Sequence, residues 1–209
     1  MKKIALIGDI VASRNIKNRA DVQKKMSKFF LGLNKDNNTL DSPYTITIGD
    51  EFQALYKKAD SIFIDICKIL ESLYPESVRF SIGIGELTTK INKNQALGMD
   101  GPAFHFAREG LEELKSTSGL FNIKTANEKE ILLIKKILPL ISQNMIKWKF
   151  TRIKIFNLLI EGRTVKEISK KLHVTDKAVY KHIDAGALNI IIDILNQITL
   201  EINSSLKVK

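Results

Sequence analysis

The apolar positions fall into short blocks whose period changes along the chain. Residues 3–8 (KIALIG) are continuously apolar and end in Gly-Asp, the pattern of a central strand buried on both faces. Over residues 17–35, Val22, Met26, Phe29, Phe30 and Leu33 recur at helical spacing on one face. Residues 44–49 (YTITIG) and 51–56 (EFQALY) read as two strands hinged at Gly49-Asp50. A second helix is predicted over 58–73. A strand with glycines at close-approach positions follows over 78–87 (VRFSIGIGEL). Gly101-Pro102 opens a third helix over 102–116, because proline is tolerated in a first turn, and a short strand follows at 120–124. The order β-α-β-β-α-β, then α-β, predicts an α+β fold: a ferredoxin-like βαββαβ palm, mostly antiparallel, with its helices on one face.

Beyond residue 125 the pattern is helical throughout. Residues 126–149 read as a connecting helix that Pro139 should bend or break. Residues 150–209 read as an all-α domain. Within it, the segment TVKEISKKLHVTDKAVYKHI (164–183) places Ile168, Leu172, Val174, Val179 and Ile183 where two short helices pack on each other. Ser169 is small enough for a close crossing, Thr175 can cap the second helix, and Glu161-Gly162 ends a preceding helix. This segment resembles the helix-turn-helix of LuxR-type regulators and of sigma factor region 4, with His173 at the turn where such motifs often carry glycine. The resemblance implies a DNA-binding domain. A last apolar stripe (Leu188, Ile191, Ile192, Leu195, Ile198 and Ile202) must bury on the helix-turn-helix or on a second copy. A homodimer would suit two-fold DNA sites.

Charge sharpens the second half. The 209 residues carry 33 Lys/Arg against 23 Asp/Glu, and residues 126–209 hold 15 of the former but only eight of the latter. That concentration favours a nucleic-acid partner. On the second helix of the motif, Lys177, Tyr180 and Lys181 face outward with Asp176 and Asp184. Lys177 and Lys181, four apart, suit phosphates or guanine edges, while Arg163, Lys166, Lys170 and Lys171 suit phosphate positioning. Composition otherwise excludes more than it assigns. With 44% hydrophobic and 27% charged residues the chain can build a core, and no apolar run reaches the ~18 residues of a membrane span. The N-terminal apolar stretch is interrupted by Asp9, too early for a signal peptide, so a cytoplasmic protein is expected. The single cysteine, Cys67, lies in a helical apolar pattern and excludes an internal disulfide or a cysteine-clustered zinc site.

The candidate chemistry lies in the first half. Gly8-Asp9-Ile10 ends the first strand and Gly49-Asp50-Glu51-Phe52 sits at a hairpin tip. In a βαββαβ sheet these strand ends are neighbours, and two carboxylates there can hold Mg²⁺, which takes few protein ligands and completes its shell with water and phosphate. Arg14, Lys17 and Arg19 follow the first strand and could meet those phosphates. Asp100-Gly101 precedes a helix whose N-terminus favours anions, with Arg108 two turns in. Plainer roles exist for each: Gly-Asp is a common turn pair, and Arg108 could pair with Glu112 on its own helix.

Taken in order, GDIVASRNIKNR, TIGDEFQAL, RFSIGIGEL and DGPAFHFAREGL, spanning 8–111, resemble the SatD family, which the C-terminal motif also suits. More distantly they resemble the nucleotide cyclase superfamily, class III cyclases and GGDEF diguanylate cyclases. That resemblance implies a ferredoxin-like palm with Asp9 and Asp50 as metal ligands and Arg108 as the arginine that stabilises the transition state. The chain departs from the cyclases at Ile46, where class III enzymes often carry a base-reading Lys, and at Phe104, where they carry Asn. It departs again at Ile48, the first Gly of GGDEF. The reading that follows is a DNA-binding regulator whose first domain (1–125) holds a nucleotide-like or other phosphorylated ligand with Mg²⁺. The alternatives are a divergent nucleotidyl cyclase or other two-metal phosphoryl-transfer enzyme, and a protein-interaction adaptor.

Overall fold

The computed structural model describes residues 1–13, 16–35, 37–117 and 119–207. Its first half is a five-stranded sheet: β1 (Lys3–Ile10), β2 (Leu40–Ile46), β3 (Glu51–Tyr56), β4 (Val78–Gly85) and β5 (Phe121–Thr125). The strand order is β2-β3-β1-β4-β5. The first four strands are antiparallel to their neighbours, as in a split βαβ unit, and β5 adds parallel to β4. The central position of β1 explains its continuous apolar run, since Ile4 to Ile7 are all 0–1% exposed.

Three helices cover this sheet: α1 (Arg19–Lys35), α2 (Ile62–Leu73) and α3 (Pro102–Lys115). Alternation along β1 sorts its side chains. Ile4, Leu6 and Ile10 share a core with Phe52, Phe80, Met26 and Phe30 of α1, and Ile62 and Ile66 of α2. Ala5 and Ile7 share a second core with Leu55 and with Ala103, Phe104, Ala107 and Leu111 of α3. The expectation of helices on one face is therefore corrected: α1 and α2 lie on one face and α3 on the other. The reason is in β4. A side chain at Gly83 would bring its Cβ within 2.0 Å of the Ala103 carbonyl oxygen, and one at Gly85 within 2.7 Å of the Ala103 nitrogen. The alternating glycines of SIGIG and the alanines of α3 let that helix lie directly on the strand, and the β4-α3-β5 crossover then delivers a parallel β5.

The second half contains α4 (Leu132–Met145), α5 (Phe150–Ile160), α6 (Val165–Leu172), α7 (Asp176–Gly186) and α8 (Leu188–Ser205). The connecting segment is a 3₁₀ turn (Glu128–Ile131) followed by α4, which continues through Pro139. Pro139 did not break the helix: it sits on the exposed side, while Leu138, Ile141 and Met145 are buried opposite and hold the turns together.

The buried core runs without interruption from the sheet, through α2, to α5 and α8. Asn157 of α5, 4% exposed, donates from Nδ2 to the Cys67 carbonyl of α2 (3.1 Å) and to Glu71 (2.5 Å). Lys68 pairs with Glu161 (2.9 Å), and Asn203 near the end of α8 accepts from the Ala59 amide (2.7 Å). The apolar stripe of α8 is covered by the chain itself: Leu188, Ile191, Leu195, Ile198 and Ile202 are all buried. Cys67 is buried in α2 and its thiol is pushed up by that burial, in keeping with a core role. Among the described residues, no single helix is long and apolar enough to cross a membrane.

Candidate functional site

Asp9 is the penultimate residue of β1, where the register sets it between Glu51 of β3 and Arg79 of β4. Asp50 sits in the hairpin between β2 and β3. The preceding Gly49 takes a left-handed φ of +66°, a conformation that glycine adopts without steric cost. Gln23 of α1 anchors this turn by donating to the Gly49 carbonyl (2.6 Å). The two carboxylates predicted as a pair thereby meet, within hydrogen-bonding reach of one another. The Asp9 carboxyl is pushed up to about 6, first by burial, then by the hydrogen bond and negative charge of Asp50, against the pull of Lys115 and Arg79.

Cations ring the pair. Arg19 donates to Asp50 Oδ1 (2.8 Å), and Arg79 reaches Asp9 Oδ2 at 3.5 Å. Arg108 donates through both terminal nitrogens to Glu51, with Nη2 to Oε1 at 2.7 Å. Thr47 Oγ1 adds a third bond to the same carboxylate (3.0 Å). Glu51 thus fixes the guanidinium of Arg108 in a planar, two-bonded geometry. Its partner is Glu51, across 57 residues, and not Glu112 on its own helix.

The predicted site residues are therefore brought together in part. Asp9 and Asp50 face each other, Arg19 lies on Asp50, and Arg108 lies one residue away on Glu51. Arg14 lies outside the described residues. The expectation of an anion site at the start of α3 fails, because the helix supplies its own anion. Asp100 accepts from the Gly101 amide (2.8 Å) and from His105 Nε2 (2.6 Å), and the Ala103 amide is taken by the Glu86 carbonyl (3.2 Å). Two residues escaped the sequence reading. Glu51 was quoted only as part of its motif. Arg79 stands in a strand and becomes a site residue only through its register opposite Asp9.

Can these residues hold a divalent cation? Among the described residues no cluster of three or more His, Cys, Asp or Glu converges. The donor set is the Asp9–Asp50 pair, two hard oxygen ligands whose repulsion a cation would relieve, with Glu51 committed to Arg108. That fits Mg²⁺, which keeps most of its shell for water and phosphate.

The second candidate surface is α6 and α7. Thr164 and Glu167 form a reciprocal capping box at the start of α6, with Thr164 N donating to Glu167 Oε2 (2.7 Å) and Glu167 N to Thr164 Oγ1 (3.3 Å). His173 ends α6 in the left-handed conformation (φ 53°, ψ 44°), and Thr175 Oγ1 caps α7 by accepting from the Ala178 amide (3.1 Å). Ile168, Val179 and Ile183 are buried between the helices and α5. Arg163, Lys166, Lys170, Lys171, Lys177, Tyr180 and Lys181 are all exposed. Of these, only Arg163 makes an ion pair among the described residues, a 3.5 Å contact to Glu167.

Comparison with known proteins adds three findings. Two solved structures of a bacterial light-regulated adenylyl cyclase are similar to this chain at 17% identity, with TM-scores of 0.34 and 0.35. Each alignment covers 59% of this chain and 43% of the cyclase chain, so it spans less than half the length of those structures. No curated protein matches. The sequence profile of the SatD family matches residues 3–200, nearly the whole length, and the chain belongs to that family.

Proposed function

We propose that this chain is a DNA-binding regulator that reads duplex DNA with α6 and α7 as a helix-turn-helix, and that its sheet half holds a phosphorylated, nucleotide-like ligand with Mg²⁺. The observation that carries the reading is the division of α6 and α7 into two sides. Ile168, Val179 and Ile183 are buried, while Arg163 just before α6 and Lys166, Lys170, Lys177, Tyr180 and Lys181 on the two helices stand in solvent. A helix presenting Lys177, Tyr180 and Lys181 can enter a major groove, with the α6 lysines on flanking phosphates. In the sheet half, Asp9 and Asp50 would hold the cation and Arg19 and Arg79 would take phosphate oxygens, with Arg108 joining them only on leaving Glu51. Asn157 of α5 is bonded to the Cys67 carbonyl and Glu71 of α2, which joins the helical half to the sheet half. A homodimer would place two such helix pairs on a two-fold site.

Fluorescence anisotropy with a labelled random duplex tests the first part. Binding should fall steeply with salt, about 10³-fold or more between 50 and 200 mM if six or more phosphates are contacted. Replacing Lys177 and Lys181 together by Ala should weaken it at least tenfold. Salt-independent binding, or none, would leave α6 and α7 as a protein-contact surface. Adding nucleotide and Mg²⁺ tests the coupling. Unchanged DNA affinity would sink it, since a ligand shifts an equilibrium only by its differential affinity for the two states.

The carboxylate pair also supports a second reading, a two-metal phosphoryl-transfer enzyme of the cyclase kind. Against it, Arg108 is held by Glu51 and Phe104 offers no hydrogen bond to a developing charge. Turnover of a nucleoside triphosphate that disappears in Asp9→Asn would establish this reading instead.

A further inference from the structure

A second cavity-lined site lies between α1 and α2. It is an open cleft of about 810 Å³, within the usual range for small-molecule pockets, and none of the residues of the carboxylate pair line it. Its chemistry changes with depth. The floor is polar, made by Asn37, Thr39, Ser61 and Asp65. Asp65 is only 3% exposed, and its Oδ2 is saturated: it accepts from Tyr56 Oη (2.5 Å), Asn37 Nδ2 (2.6 Å) and Ser61 Oγ (3.0 Å). Asn37 Oδ1 is likewise filled, by the Thr39 amide and the Thr39 hydroxyl. No described residue donates to Asp65 Oδ1 and Asp65 lines the cavity, so the floor offers a carboxylate oxygen to an incoming N–H. The walls are apolar, with Phe29 and Leu33 on α1 and Ile64 on α2. Gly32 widens the space, since a Cβ built there meets nothing within 4 Å. At the mouth stand Lys25, Lys28 and Lys68. Lys68 is paired with Glu161, while Lys25 and Lys28 have no ion-pair partner among the described residues.

From mouth to floor the cavity presents cations, then an apolar slot beside an aromatic ring, then a carboxylate acceptor. We propose that it binds a purine nucleoside monophosphate, base inward with its amino group on Asp65 Oδ1, and phosphate outward on Lys25 and Lys28. The competing classes fit less of it. A fatty acyl chain would end its apolar tail on four polar side chains and leave Asp65 Oδ1 unpaired, a desolvation cost with no return. A small inorganic anion would fill a fraction of the volume and meet the Asp65 charge. A flat base with an amino donor satisfies the acceptor, lies against Phe29 and carries its negative charge to the lysines.

The test is isothermal titration of the full chain with AMP and GMP in EDTA, which keeps the Asp9–Asp50 site out of play. Saturable binding is expected, weakened at least tenfold for purine riboside 5′-monophosphate, which lacks the amino group, and several-fold for Lys25→Ala/Lys28→Ala. Gly32→Leu should abolish it by filling the slot. That variant keeps its fold, because a helix-interior glycine is being replaced by a strong helix former, and far-UV circular dichroism checks this. Asp50→Asn should leave it unchanged. Absence of binding at millimolar nucleotide, or binding untouched by Gly32→Leu, overturns the proposal. Binding that requires Mg²⁺ and disappears in Asp50→Asn also overturns it, and would place the nucleotide at the carboxylate pair.

Discussion

At the scale of single residues, Asp9 carries the clearest tension in the molecule. Its side chain is largely withdrawn from water and faces a second carboxylate, so its proton is held up to about 6 against a usual value of 3.8. A raised carboxyl binds its proton more tightly folded than unfolded. The folded chain therefore binds more protons across about pH 4 to 6, and the stability Asp9 contributes declines as pH rises through that window and is flat above it. Replacing Asp9 by Asn removes the penalty. In EDTA the variant should unfold at a higher temperature than the parent at pH 7, with the difference vanishing near pH 4; a variant less stable at pH 7 would refute the reading. A group kept at a stability cost is what a ligand site requires, and Mg²⁺ should stabilise the parent more than Asp9→Asn. The Gly-Asp pairs that mark this site were readable along the chain, because a carboxylate after a strand-ending glycine is a local pattern. Glu51 and Arg79 were not, because their roles come from strand register: Arg79 is 70 residues from Asp9 and opposite it.

At the scale of elements, two contacts are specified by absent or unusual side chains. Gly83 allows α3 to lie on β4. Replacing it by Ala forces a Cβ against the Ala103 carbonyl and the Ala107 backbone. Because backbone atoms cannot rotate away, the expected loss is about 3 kcal/mol, at the upper end for overpacking, measured by urea denaturation. Conversely, His173 holds the turn between α6 and α7 at φ 53°, where a Cβ is crowded. His173→Gly should relieve that strain and stabilise the chain by about 0.5–1 kcal/mol, net of the entropy a glycine adds to the unfolded state. Thr164→Ala should do the reverse, costing about 1 kcal/mol with the loss of the capping box. Helix identities and most strand positions followed from periodicity. The face occupied by α3 did not, since the glycines of SIGIG announce a close approach without saying which helix makes it. Pro139, expected to bend or break its helix, does not break it. A local rule for breaking helices was overridden by the burial of Leu138, Ile141 and Met145 beneath it.

At the scale of the whole molecule, the change of secondary-structure class near residue 125 does not interrupt the core. Buried apolar contacts continue from β1 through α2 into α5 and α8, stitched by Asn157 and by Asn203. Trp148, 5% exposed and tilted against Phe156 at 4.9 Å between ring centres, reports on the helical half. Its fluorescence and the far-UV dichroism should therefore change together in a single unfolding transition. Separated midpoints would show that the sheet half and the helical half unfold independently. Asn157→Ala, which leaves the Cys67 carbonyl and Glu71 without their donor, should lower stability by about 1–3 kcal/mol and weaken any effect of ligand on DNA binding.

The amino-acid order by itself determined the elements, their sequence, the carboxylates at two strand ends and the basic pair of short helices. Each of these is encoded in residues a few positions apart, where period, capping and turn preference act. Only the tertiary structure decided that Asp9 and Asp50 touch, that Glu51 holds Arg108, that α3 takes the far face, and that the stripe of α8 is buried by its own chain. It alone revealed the cavity over Asp65. Those are consequences of which surfaces meet, and a meeting between residues 28 to 144 positions apart is set by the free energy of the assembled core, not by any local pattern.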